Sequence, residues 1–136
     1  FYSVRYASAY PQNVARIYLD APLLNVYTLS GLDPNKTEAA EKSIGSWGKD
    51  WPKDTAADPR MAVNRGEPIA KAGIPVLLIY GRADLTVPPK ENSERFIDAF
   101  KKAGGQIDVV ARGLWGHHPH GLDAKETGRI VSFFCR

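Results

Sequence analysis

Ile74-Pro75-Val76-Leu77-Leu78-Ile79-Tyr80-Gly81-Arg82-Ala83-Asp84-Leu85-Thr86-Val87-Pro88 is the stretch on which the reading of this chain turns. Its first half is a continuous apolar run, far short of the roughly 20 residues that a helix needs to span a bilayer. A short run of this kind, rich in β-branched residues and bounded by turn signals, reads as a strand buried on both faces. Its second half is a polar turn that begins with glycine and carries one carboxylate, Asp84. In open parallel sheets, functional groups gather just beyond the carboxyl ends of the strands, because the loops converge there over the sheet edge.

Working outward, Phe96, Ile97, Phe100 and Ala103 fall on one face of a helix that Gly104-Gly105 would end, and residues 107–111 make another strand. A closing helix opens with Asp123-Ala124-Lys125-Glu126, an N-cap with Glu at the third helical position, and is expected to bury Ile130, Val131 and Phe134. Upstream, Phe1, Val4, Ala7 and Ser8 recur at helical spacing as far as Pro11. Residues 14–20 then read as a strand that carries Asp20 at its end, before Ala21-Pro22. Between 23 and 66 the pattern dissolves into Gly, Pro, Asn and Asp, with 38–44 as the best short helix and Trp47 and Trp51 nearby. This reads as a cap or lid-like excursion, followed by a short helix at 68–72 before Gly73.

The alternation predicts an α/β fold, parallel strands flanked by helices, within a single domain over 1–136. Three strands are too few for a self-sufficient doubly wound sheet, and the chain begins inside a helix with neither a cap nor Met. The expectation is therefore the C-terminal portion of a larger domain. Lys and Arg (18) are interleaved with Asp and Glu (15) for a net charge of +3, with no basic block to track phosphates, which argues against a nucleic-acid partner. One cysteine, Cys135, excludes an intrachain disulfide.

All three histidines, His117, His118 and His120, lie in one loop after the 107–111 strand. One of them could take a proton from a nucleophile while a carboxylate orients its other nitrogen, and Asp84 is the candidate carboxylate. Alternatively the three imidazoles form a metal-binding module, although residues so close, with Pro119 among them, converge poorly on one tetrahedral ion. His118 and His120 also read simply as loop residues bonded to backbone or water. For Asp84 the bland role is capping the backbone around Thr86. Asp20 is the runner-up acid, and Trp115, with His118, is a candidate substrate wall.

Residues 74–136 resemble the last strands and helix of the α/β-hydrolase superfamily, the serine esterases, lipases and prolyl-oligopeptidase-like enzymes. In that family G-x-x-D-x-x-V-P carries the triad acid and a later G-H the base, which correspond to Gly81, Asp84, Val87, Pro88, Gly116 and His117. Residues 6–22 are similar to the helix after the family's nucleophile elbow and the strand that follows it. The resemblance implies a serine hydrolase acting on an ester or other acyl bond of a small molecule, with Asp84 and His117 as acid and base and no cofactor or metal. It places the serine in a G-x-S-x-G turn just before the first helix, and no such pentapeptide occurs here. Gly45-Ser46-Trp47-Gly48 is a near miss, with Ile44 where glycine is needed. The nucleophile and oxyanion hole are thus expected upstream, leaving these residues inactive alone. A non-catalytic binding or scaffold protein of the same fold is the alternative. Asn35-Lys36-Thr37 matches a glycosylation acceptor, a motif short enough to arise by chance.

Overall fold

Three strands pair in parallel in the order in which the chain makes them: β1 (Ile17–Asp20), β2 (Val76–Gly81) and β3 (Ile107–Arg112). This computed structural model describes residues 1–28, 58–118 and 124–136. The helix expected at 38–44, the acceptor motif at 35–37, Ser46, Trp47, Trp51 and His120 lie outside those residues, as does most of the 23–66 excursion. β1 is shorter than the expected 14–20. The chain first makes a 3-10 turn, Pro11–Asn13, and ladder pairing begins only where Ile17 meets Val76.

Every residue of the central strand β2 is buried, as its unbroken apolar run requires. The register puts Ile17 and Leu19, then Val76, Leu78 and Tyr80, then Ile107, Val109 and Ala111 on one face. Three helices cover that face: α1 (Tyr2–Ala9) with Val4 and Ala7, α2 (Gly66–Lys71) with Ile69 and Ala70, and α3 (Ser93–Lys102) with Phe96, Ile97 and Phe100. The rings of Phe96 and Phe100 stack at 5.6 Å and are wholly buried. Each stabilises the fold by about 3–5 kcal/mol relative to alanine.

The opposite face, bearing Tyr18, Asp20, Leu77, Ile79, Asp108 and Arg112, is met by α4 (Ala124–Phe134). Here the sequence expectation fails. Val131 and Phe134 are 57% and 50% exposed, Ile130 is half-buried, and the buried side chain is Phe133. The helix is turned by its charges. Glu126 places both carboxylate oxygens on Arg112, at 2.8 and 2.7 Å, and Arg129 pairs with Asp108, while the expected cap, Asp123, lies outside the described residues. Residues 126, 129 and 133 lie on one helical stripe, so the two ion pairs bring Phe133 to the sheet, under the Arg16 guanidinium.

Both described margins of the excursion are anchored in the core. Leu24, Val26, Met61, Ala62 and Val63 are buried, and Val63 N–H donates to the Leu24 carbonyl at 3.0 Å. The clamp is Asn92, itself fully buried. Its Oδ1 accepts from the N–H groups of Leu24 and Asn25 at 2.8 and 2.7 Å, while its Nδ2 donates to Thr28 Oγ1 and the Pro88 carbonyl at 2.7 and 3.0 Å. Asn92→Ala would strand two buried backbone donors. Equilibrium urea unfolding should show a loss of about 2–4 kcal/mol.

Candidate active site

β2 stops at Gly81, and the chain turns over the sheet edge through Arg82 and Ala83 to Asp84. β3 stops at Arg112, and its loop reaches His117 five residues later. The two loops meet. His117 Nδ1 lies 2.8 Å from Asp84 Oδ2, with Asp84 only 4% exposed. The other carboxylate oxygen, Oδ1, accepts the N–H groups of Thr86 and Val87 at 2.9 and 2.8 Å. The turn-capping and histidine-orienting roles coexist on one side chain, one oxygen each. A carboxylate at Nδ1 holds the proton there in the neutral imidazole, which makes Nε2 the basic nitrogen.

The loops are also joined through backbone. Arg82 N–H donates to the Arg112 carbonyl at 2.9 Å and Ala83 N–H to the Trp115 carbonyl at 3.0 Å. Gly81 is what permits this approach: a Cβ there would sit 2.2 Å from the Trp115 oxygen and 2.5 Å from the Gly116 oxygen. The first glycine of the G-x-x-D turn is thus a matter of space.

Asp20 stands apart from this pair. It lies at the end of β1, on the α4 face, and its carboxylate belongs to a group with Tyr18, Arg112 and Glu126. Burial first, and then the Asp20 carboxylate, push the Tyr18 phenol up to about 12, so it stays protonated. Hydrogen bonding to Glu126 and the surrounding anions hold the Arg112 guanidinium above its usual range despite burial. Trp115 is 41% exposed and lies under that guanidinium, 4.7 Å from ring centroid to Cζ. His118, also exposed, meets the His117 ring edge-on at 4.8 Å. Leu85 and Leu114, 84% and 94% exposed, neighbour Asp84 and Trp115 in the chain.

Sequence reasoning missed Asn92, Arg112 and the pairing of Glu126 with Arg112. Arg112 had a legible signal, since it ends a strand just before the histidine loop, as Gly81 ends one before the acid turn. Among the described residues no three His, Cys, Asp or Glu side chains gather as a metal ion would require, and no helix is long and apolar enough to cross a membrane. Ser8, in α1, turns its hydroxyl back onto the Arg5 carbonyl at 2.8 Å.

No family model matches the chain, and no curated protein does. Among solved structures it is similar to a monoacylglycerol lipase from Paleococcus ferrophilus, with a TM-score of 0.50 and 18% identity. The alignment covers 97% of this chain and 62% of the lipase chain. At that identity the likeness concerns the fold. The mixed α/β architecture, three parallel strands flanked by helices, is the class that the α/β-hydrolase resemblance implied.

Proposed function

We propose that this chain supplies the acid and the base of a serine hydrolase that cleaves an ester, or another acyl bond, of a small molecule. The observation that carries the reading is the 2.8 Å contact between Asp84 and His117, made by loops from two strands at one edge of a parallel sheet. The fold shared with a lipase supports it. His117 Nε2 takes the proton of an attacking hydroxyl as its oxygen bonds to the acyl carbon. Asp84 stabilises the imidazolium, which then protonates the departing alcohol. Water, deprotonated by the same nitrogen, releases the acid and restores the hydroxyl. This route uses no metal or organic cofactor. Leu85 and Leu114 suit an apolar portion of the substrate.

The nucleophile and its oxyanion donors belong, on this reading, to residues of the same domain that precede the 136. Because these 136 residues contain no G-x-S-x-G turn, a non-catalytic binding protein of the same fold is the second reading. A fluorophosphonate probe and a p-nitrophenyl ester, applied to the whole protein, decide between them. The expected result is one phosphonylated serine outside residues 1–136, with both labelling and turnover reduced about 10³-fold or more by His117→Ala. A whole protein that is neither labelled nor active sinks the enzyme reading and leaves the binding protein.

A further inference from the structure

The geometry points to Arg112 as a positioning residue that holds the His117 loop in register with Asp84 through the indole of Trp115. This rests on the hydrolase reading for its kinetic consequence, although the structural part stands by itself. Residues 113–116 span the gap between the end of β3 and His117, and Leu114, in the middle, is 94% exposed and adds almost no packing. The loop therefore needs fixed points. One is the Trp115 carbonyl, which accepts from Ala83, the residue before Asp84. A second is the Trp115 ring, which covers the Arg112 guanidinium at 4.7 Å.

That guanidinium can serve as an anchor because its own position is over-determined. Its side chain is 8% exposed, and its fork grips both oxygens of Glu126 on α4. Asp20 and Tyr18, on β1, share its face of the sheet. Its backbone carbonyl accepts from Arg82, at the start of the acid turn. One residue thus ties α4, β3, the acid turn and the histidine loop together. A cation held against a ring in a desolvated setting is a strong contact by the standard of such pairs, and a planar guanidinium keeps its face to the indole in a way an ammonium does not.

A simpler role would be docking α4 to the sheet. Arg129 provides the comparison, since it pairs with Asp108 on the same strand, three residues further along α4, away from the site. In the whole protein, Arg112→Lys should lower kcat on an activated ester on the order of 100-fold, with KM nearly unchanged, as expected when a base is misplaced by about 1 Å. Arg129→Lys should leave kcat within about twofold. Trp115→Ala, which leaves the Arg112–Glu126 pair intact, should match Arg112→Lys, and the double variant should be no worse than either. A substrate-wall role for Trp115 would instead raise KM.

The readout that does not depend on turnover is the downfield proton resonance of His117 Nδ1–H, the signature of its bond to Asp84. It should be present in the parent and in Arg129→Lys, and lost in Arg112→Lys and Trp115→Ala. If the resonance and kcat survive Trp115→Ala, or if Arg129→Lys is as damaging as Arg112→Lys, the positioning role is overturned. A protein inactive on every ester that still shows this pattern of resonances would overturn the hydrolase reading alone.

Discussion

Asp84→Asn is expected to lower kcat for ester hydrolysis by about 10⁴-fold while leaving the fold in place, the scale on which a histidine in the wrong tautomer slows a serine hydrolase. The reason lies in the division of labour between the two carboxylate oxygens. Oδ1 accepts two backbone N–H groups, from Thr86 and Val87, and only an oxygen can fill that position. The asparagine amide is thereby forced to direct its NH2 group toward His117. Nδ1 must then accept rather than donate, the ring proton moves to Nε2, and the nitrogen that should receive the nucleophile's proton is already occupied. Asp84→Ala should be worse for the fold, because it strands both backbone donors as well. The check is kcat and thermal unfolding measured on the two variants of the whole protein. Equal activity in Asp84→Asn and the parent would remove Asp84 from the mechanism.

Much of this arrangement was legible because it rests on local rules. A buried apolar run, a glycine turn, a carboxylate at a strand end and a glycine-histidine pair one helix and one strand later suffice to put Asp84 and His117 at the same sheet edge. What the chain's periodicity could not give is the rotation of α4. Ile130, Val131 and Phe134 make the more hydrophobic stripe, yet the helix buries Phe133, because Glu126 and Arg129 find partners on β3 that exist only once the sheet has formed. Asn92 was hidden for a related reason. An asparagine ahead of a helix reads as a cap, and nothing local reveals that its side chain joins Pro88 to a segment more than sixty positions earlier in the chain. The sequence ranked Asp84 ahead of Asp20 as the acid but kept Asp20 as the runner-up, since one lies just beyond a strand and the other ends one. The register separates them, sending Asp20 to the α4 face beside Arg112 while Asp84 turns over the edge to His117.

Gly81→Ala should be the most damaging single-methyl change near the site, lowering turnover by about 10²-fold or more. The added Cβ would lie 2.2 Å from the Trp115 carbonyl oxygen and 2.5 Å from that of Gly116, distances at which repulsion is prohibitive. Both obstacles are backbone atoms, so no side-chain rotation relieves the contact. Nor can β2 retreat, because it is buried throughout and bonded on both edges. The histidine loop must move outward instead, and the Ala83-to-Trp115 hydrogen bond and the Asp84–His117 contact lengthen together. Overpacking of this kind destabilises by about 1–3 kcal/mol, a modest loss beside the kinetic one, since the loop can leave without taking the sheet with it. The distinguishing observation is the same His117 Nδ1–H resonance, expected to vanish in a variant whose circular dichroism is unchanged. A Gly81→Ala protein with turnover within a few-fold of the parent would mean that the histidine loop approaches β2 less closely than the 3.0 Å bond between Ala83 and Trp115 requires.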